Sequence, residues 1–133
     1  MKQEYRRTKT IVSLINYHFV FCPRYRRKIF SNPKVEQRFK EIVHEVCTEQ
    51  KIEVLAIKCE KDHTHLFLNA LPQISPSQIM AKIKGVSSRK IRQEFKHLNH
   101  MPSLWTRSFF VSTTGNVSSE TIKKYVEEQK KRG

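Results

Sequence analysis

Two histidines separated by a single residue are the first side chains in this chain that indicate chemistry. His63 and His65 stand in the segment EKDHTHLFL, which covers residues 60–68. In a strand, alternate side chains share a face, so both imidazoles would lie on one face while Thr64, Leu66 and Leu68 point to the other. Two imidazoles at this spacing are close enough to hold one divalent metal ion, and the alternative is that they are unrelated polar residues.

Two carboxylates stand shortly before these positions. Glu60 and Asp62 are candidate metal ligands, or candidate partners that fix the tautomers of ligand imidazoles through hydrogen bonds. The alternative interpretation makes both of them solvated charges of a hairpin turn. The sequence pattern alone leaves these roles open.

A tyrosine and a glutamine occur one helical turn apart near the end of the chain. Tyr125 and Gln129 share a stripe with Ile122 and Val126, at the i, i+3, i+4, i+7 spacing of an inward helical face. Taken alone, Tyr125 fits the role of a half-buried aromatic that anchors its helix. Gln129 is harder to explain, because a neutral amide on this stripe has only charged residues around it. Its oxygen would complete a metal site that two imidazoles begin.

Together these groups indicate phosphoryl chemistry with a tyrosine nucleophile. An unperturbed phenol has a pKa near ~10, so tyrosine needs assistance to attack at neutral pH. A divalent metal held by His63, His65 and Gln129 would polarise a phosphodiester and offset charge in the transition state. Attack by Tyr125 would keep the phosphoester bond as a protein–DNA linkage, from which the broken strand can be rejoined.

The charge balance predicts a polyanionic partner. The 133 residues include 26 Lys and Arg against 12 Asp and Glu, a formal net charge of +14. Such an excess indicates nucleic acid or an anionic membrane surface. Two basic clusters, one after the first predicted strand and one along the second predicted helix, are expected to contact DNA phosphates. The predicted DNA-binding residues are Arg24, Arg26, Arg27, Lys28, Lys82, Lys84, Arg89 and Arg92.

The remaining composition argues against several protein classes. Cys22, Cys47 and Cys59 form no CxxC pair, which disfavours a disulfide scaffold or a structural zinc site and favours a reducing compartment. No apolar stretch approaches the ~20 residues of a membrane span, and the N-terminus lacks the pattern of a signal peptide. We therefore expect a cytoplasmic protein with no membrane partner.

The elements are predicted in the order β-α-β-β-α-β-α. Strands are predicted within 10–22, 52–59, 63–71 and 104–113, and helices from the Asn32-Pro33 cap, from a Ser75 capping box to about residue 95, and from Ser118 or Ser119 to about residue 131, after a turn at Gly115-Asn116. The first six elements match the ferredoxin-like, split βαβ arrangement of α+β proteins, an antiparallel sheet with helices on one face. The other face would be free for a ligand, and the last helix would carry Tyr125.

The chain resembles the single-tyrosine HUH transposases (TnpA) of small insertion sequences that transpose as single-stranded DNA. The resemblance covers nearly the whole chain, so that residues 1–133 are expected to form one HUH-type transposase domain. It rests on an ordered set of segments, namely YHFVF at 17–21, YRRK at 25–28, DHTHL at 62–66, PSQI at 76–79, KGVSSR at 84–89, LW at 104–105, FFV at 109–111 and YVEEQ at 125–129.

This resemblance implies a reaction, a cofactor and partners. It implies Tyr125 as the nucleophile that forms a 5′-phosphotyrosine bond and releases a 3′-hydroxyl, with His63, His65 and Gln129 as ligands of Mg²⁺ or Mn²⁺. It also implies a homodimer that binds single-stranded insertion-sequence ends folded into hairpins, with the tyrosine helix able to serve the partner's histidine pair. The setting would be a prokaryotic cytoplasm, with the protein on the nucleoid when bound to DNA.

Other functions are compatible with the same residues. One is a non-catalytic module that binds single-stranded nucleic acid on a ferredoxin-like sheet, although such modules use exposed aromatics where this chain has histidines. Another is a metal-dependent phosphoesterase that uses water, which would leave Tyr125 without a role. A domesticated relative acting on repetitive palindromes would retain the predicted chemistry.

Overall fold

The structure, a computed structural model, describes residues 3–113 and 119–133, with Ser119 described through its backbone alone. The strands are Arg6–Arg7 (β1), Val12–Ser13 (β2), Ile15–Phe21 (β3), Glu53–Glu60 (β4), His63–Ala70 (β5) and Phe110–Thr113 (β6). The helices are Pro33–Glu49 (α1), Pro76–Glu94 (α2) and Ser119–Glu128 (α3). Short 3-10 helices occur at Arg24–Arg26, Ile29–Ser31, Lys96–Leu98 and Gln129–Lys131.

Four of the strands form one antiparallel sheet in the order β4-β5-β3-β6. In the unit β3-α1-β4 the two strands are separated by β5, and in the unit β5-α2-β6 they are separated by β3. Each βαβ unit is therefore split by a strand of the other unit. The prediction of an α+β, ferredoxin-like fold is confirmed.

The first strand differs from its prediction, because 10–22 is not one continuous strand. β3 begins at Ile15, which pairs with Ala70 at the end of β5, so residues before it have no neighbour in the main sheet. Val12 and Ser13 pair instead with Arg7 and Arg6 and form a small separate ribbon.

Local sequence signals start the first two helices as predicted. The Asn32 side chain accepts a hydrogen bond from the Lys34 backbone N–H at 2.9 Å, and Pro33 occupies the first turn. Ser75 and Gln78 form a complete capping box, since each side chain accepts a hydrogen bond from the other residue's backbone N–H. Both helix starts therefore follow from residues local to them.

One face of the sheet is packed under α1 and α2. Phe19 and Phe21 of β3 and Leu66 and Leu68 of β5 are fully buried in the core that these helices cover. Removal of such apolar side chains from water is the main stabilising contribution to the fold. It also fixes which residues of β3 and β5 point to the opposite face.

The opposite face is partly covered by α3. Val20 and Cys22 alternate with the core residues of β3 and pack against Val126 of α3. The predicted last helix extends to about residue 131, but it is α-helical only to Glu128 and continues as a 3-10 turn. The predicted turn at 115–116, Ser118 and the Ser119 side chain lie outside the described residues. Within 3–113 and 119–133, no helix has the length and apolar character needed to cross a bilayer.

Candidate metal and tyrosine site

The two predicted histidines share the sheet face that lies away from α1 and α2. Thr64, Leu66 and Leu68, which alternate with them on β5, are completely buried on the other face. The rings of His63 and His65 have centroids 5.1 Å apart. The strand alternation predicted from the sequence is therefore confirmed.

Asp62 holds the first of these imidazoles. Its Oδ1 lies 2.8 Å from Nδ1 of His63, and the two side chains are only 14% and 17% exposed. Burial alone would raise the pKa of the Asp62 carboxyl, but hydrogen bonds from His63 and Arg26 outweigh burial and lower that pKa. The carboxylate is therefore ionised at neutral pH and accepts the Nδ1 proton of His63.

A third histidine, which sequence analysis did not include, holds the second imidazole. Nε2 of His18 lies 3.0 Å from Nδ1 of His65, and the His18 ring also stacks on Phe67 at 4.3 Å. Burial lowers the pKa of His18, and burial together with the charges of His63 and His18 lowers the pKa of His65 to about 4. His65 is therefore neutral at pH 7. His18 lies beside His65 because of the pairing register between β3 and β5, and the sequence does not specify that register.

The hydrogen bonds select the ring nitrogens that remain for a ligand. Because His63 Nδ1–H donates to Asp62, Nε2 is the ring nitrogen of His63 that remains for a ligand. When His65 Nδ1–H donates to His18, the Nε2 lone pair of His65 is available as well. Neutral imidazoles whose second nitrogen is held in this way are the usual form of histidine metal ligands.

A pocket of about 570 Å³ opens beside the two imidazoles. Its wall includes Ile122 and Lys123 of α3, together with lysines of the β4–β5 hairpin. Ammonium groups around the two imidazoles suit a ligand that carries phosphate charge. The cations that line it are Lys28, Lys58, Lys61 and Lys123, of which sequence analysis proposed Lys28 alone.

Glu60 also lines this pocket and lies beside Lys58. Its side chain is 46% exposed and lies 3.5 Å from the ammonium of Lys58. The alternative given for it from the sequence, a solvated charge of the hairpin, describes this position. Asp62 instead occupies the position of a partner that orients an imidazole.

Tyr125 and Gln129 lie together on α3 and its 3-10 extension, at Ser108. The inward stripe predicted for this helix agrees with burial, since Val126 and Gln129 are 6% and 3% exposed. Ser108 Oγ donates to Gln129 Oε1 at 2.9 Å and lies 3.2 Å from the phenolic oxygen of Tyr125. Because the serine proton is used on Gln129, the phenol of Tyr125 donates to Ser108.

Burial raises the pKa of Tyr125 to about 12, so its phenol is protonated at neutral pH. The structure thus brings the predicted groups together in two sets. His63 and His65 meet at the pocket, whereas Tyr125 and Gln129 meet at Ser108. Within the described parts of the chain, no group of three or more His, Cys, Asp or Glu side chains is arranged to hold a metal ion.

Arg26 joins the two sets. Its Nε and Nη2 donate to Oδ2 of Asp62 at 3.0 and 2.7 Å, and its Nη1 donates to Glu127 of α3 at 2.9 Å. Sequence analysis assigned Arg26 to DNA binding. In the folded chain its side chain is 21% exposed and its guanidinium is bound to these two carboxylates.

Comparison with known proteins gives the family. The family described as "Transposase IS200 like" matches residues 11–129. The chain belongs to the IS200-like transposases. It is 31% identical over 116 residues to the transposase for insertion sequence element IS200 of Salmonella typhimurium, covering 85% of this chain and 75% of that protein. It is 26% identical over 129 residues to the ISDra2 transposase TnpA of Deinococcus radiodurans, covering 95% and 91%.

Solved structures agree with this family assignment. A crystal structure of a Deinococcus radiodurans R1 protein assigned as a transposase superimposes with a TM-score of 0.85 at 28% identity, covering 93% of this chain and 97% of that one. A REP-associated tyrosine transposase bound to a REP hairpin superimposes with a TM-score of 0.50 at 17% identity, covering 95% and 69%, and shows similarity of fold. The resemblance found in the sequence is confirmed.

Two other cations predicted to bind DNA in this IS200-like transposase are bound within the chain. Lys84 Nζ donates to the backbone oxygens of Thr106 and Ser108 at 2.7 and 3.0 Å, and burial lowers its pKa to about 8. Arg92 donates to the backbone oxygen of Met101 at 3.0 Å. Lys84 therefore supports the backbone that carries Ser108.

The other five predicted DNA-binding residues are available to solvent. Arg24 is half-buried and the remaining four are exposed, and these four occur on two separate segments of the IS200-like transposase, the turn after β3 and helix α2. Exposed cations of this kind can contact phosphates without reading sequence. The four are Arg27, Lys28, Lys82 and Arg89.

Proposed function

We propose that this IS200-like transposase cleaves and rejoins single-stranded DNA at insertion-sequence ends through a covalent 5′-phosphotyrosine bond to Tyr125. The observation that carries the proposal is the pair of imidazoles whose Nδ1 atoms are held by Asp62 and His18 beside a lysine-lined pocket. The wall of that pocket includes residues of the same helix that carries the tyrosine.

We propose Mg²⁺ or Mn²⁺ as the cofactor. His63 and His65 fit such an ion through their free Nε2 atoms, and Gln129 would supply an amide oxygen after it leaves Ser108. When bound, the ion would polarise the phosphodiester and offset charge in the transition state. Asp62 and His18 keep the two imidazoles in the tautomer that the ion requires.

In the proposed step, the phenolic oxygen of Tyr125 forms a bond to phosphorus and the bond from phosphorus to the 3′ oxygen breaks. The phenol loses its proton to solvent, and the leaving 3′ oxygen takes up a proton to become a hydroxyl. The phosphoester bond is kept in the phosphotyrosine, so attack by a 3′-hydroxyl reverses the step and joins strands.

The docked position of Tyr125 is not the attacking position. Its phenol donates to Ser108, while the imidazoles face the pocket. Attack therefore requires α3 to shift, or requires α3 of one subunit to reach the histidine pair of another. A homodimer with the tyrosine acting on its partner is the second of these arrangements.

We propose that the DNA partner is a single strand folded into hairpins. The REP-associated transposase of similar fold is bound to a hairpin. The net charge of +14 and the lysines of the pocket suit a phosphate backbone. Binding should weaken steeply as salt concentration rises, because phosphate contacts release counterions.

The test is an adduct assay with 5′-end-labelled and 3′-end-labelled single-stranded oligonucleotides that carry imperfect palindromes, with Mg²⁺ or Mn²⁺. We expect a protein–DNA adduct on a denaturing gel, lost in Tyr125→Phe, His63→Ala and His65→Ala although hairpin binding is retained. Cleavage without an adduct would instead indicate a phosphoesterase, and binding without cleavage would indicate a non-catalytic module. Normal cleavage by the three variants would refute the site.

A further inference from the structure

The side chain of Arg26 connects the tyrosine helix to an imidazole of the proposed metal site. One carboxylate oxygen of Asp62 accepts two N–H groups of Arg26, and its other oxygen accepts Nδ1–H of His63. The remaining terminal nitrogen of Arg26 donates to Glu127 on α3. A continuous series of charge-assisted hydrogen bonds therefore runs from α3 to His63.

The backbone around Arg26 is held in a conformation that costs energy. Tyr25 and Arg26 have φ angles of 59° and 51°, which lie in the left-handed region that residues other than glycine rarely adopt. The Tyr25 N–H donates to the backbone oxygen of Arg132, and the Tyr25 side chain lies so close to Gly133 that a Cβ added there would be 2.5 Å from the Tyr25 hydroxyl oxygen. The strained segment is thus fixed to the residues that follow α3 and its 3-10 turn.

We infer that Arg26 is a positioning residue, which fixes Asp62 against His63 and joins that pair to the docked tyrosine helix. This inference rests on the proposed function. A carboxylate with a single partner can rotate, whereas Asp62 is held through both oxygens and so keeps the His63 ring in one tautomer and orientation. The same guanidinium cannot serve as a free phosphate contact while it binds two carboxylates.

The two ends of this connection are unequal in strength. Asp62 is 14% exposed and receives two N–H groups, whereas Glu127 is 69% exposed and receives one. An exposed ion pair contributes little to stability, and a partly buried double contact resists opening more strongly. When α3 leaves its docked position, the Glu127 contact should therefore break first while Arg26 keeps Asp62 in place.

The experiment measures Mn²⁺ affinity of the full chain without DNA, by calorimetry, in wild type, Arg26→Gln, Arg26→Lys and Glu127→Gln. We expect Arg26→Gln to weaken binding at least about tenfold, as for other residues that orient metal ligands. Glu127→Gln should stay within about twofold of wild type, because it leaves Asp62 held. Arg26→Lys should fall between them, since one ammonium lacks the forked donors.

Hydrogen exchange of α3 amides provides the second measurement. Both Arg26→Gln and Glu127→Gln should exchange faster in α3 than wild type, because each removes the contact to that helix. Arg38→Gln is the matched control. Arg38 also binds carboxylates through its guanidinium, but it joins α1 to Glu94 at the end of α2. Its substitution should change neither Mn²⁺ affinity nor α3 exchange.

Wild-type Mn²⁺ affinity in a folded Arg26→Gln protein would overturn the inference, as would equal losses in Arg26→Gln and Arg38→Gln. If Glu127→Gln lost as much Mn²⁺ affinity as Arg26→Gln, the claim that the Asp62 contact is the stronger one would be wrong. If Arg26→Gln does not fold, Arg26→Lys replaces it in each comparison. Absence of Mn²⁺ binding by the wild-type protein would instead refute the metal site of the proposed function, and the inference with it.

Discussion

Replacing Ser108 with alanine should destabilise the protein and still accelerate adduct formation. The Ser108 hydroxyl donates to Gln129 and accepts from the phenol of Tyr125, so it holds both groups in the docked position. Its removal leaves the Gln129 oxygen, on a side chain only 3% exposed, without that donor. Water can satisfy the same groups once α3 has left, so the cost falls on the docked state.

The size of the effect follows from burial. An unsatisfied buried acceptor costs ~1–3 kcal/mol, and ~1.4 kcal/mol corresponds to a factor of ten in an equilibrium. We take about 1–2 kcal/mol for the loss of the Ser108 hydroxyl, the lower part of this range. We expect adduct formation about fivefold to thirtyfold faster.

The assay is single-turnover adduct formation at saturating Mn²⁺, measured beside thermal unfolding of the same proteins. Ser103→Ala is the matched control, because Ser103 lies in the same segment and its hydroxyl makes, among the described residues, a single long contact of 3.4 Å to the Trp105 backbone oxygen. It should change neither quantity appreciably. A Ser108→Ala protein that loses stability and forms adduct more slowly would show that the docked position is the reactive one.

His18→Ala should raise the Mn²⁺ concentration for half-maximal cleavage by about tenfold, because His65 loses the group that fixes its tautomer; unchanged metal dependence would refute this role. Lys84→Met should lower thermal stability with little change in DNA affinity, whereas Lys82→Met should do the reverse, as unfolding and anisotropy titrations would show. Since the folded pKa of Tyr125, about 12, exceeds that of a free phenol, stability should fall between pH 10 and 12, and Tyr125→Phe should lose less in urea unfolding over that window.

Elements with a local cause were predictable from the sequence. The Asn32 cap and the Ser75 capping box depend on residues within a few positions of each other, and both occur as expected. The start of β3 was not predictable in this way. Val12 favours a strand in either setting, but whether it pairs in the main sheet depends on where β5 ends.

The difference between local and long-range causes also explains which parts of the site were predictable. The alternation that places His63 and His65 on one face is a property of a single strand, and the stripe with Tyr125 is a property of a single helix. The roles of His18, Ser108 and the Arg26 guanidinium depend on contacts between segments far apart in sequence. Charge alone assigned Arg26 to DNA, because a sequence does not show which cations are bound to carboxylates inside the fold.

The ionisation of Tyr125 argues that cleavage begins from an undocked helix. With a pKa of about 12, the docked phenol is ionised in roughly one molecule in 100,000 at pH 7, against roughly one in 1,000 for an unperturbed phenol. Docking at Ser108 thus lowers the phenolate population about a hundredfold and keeps the Gln129 oxygen from the histidines. Both losses end together when α3 leaves Ser108. An attack from the docked position would have to overcome both losses, whereas an attack from a shifted or exchanged helix meets neither of them. The proposed reaction is therefore coupled to movement of α3.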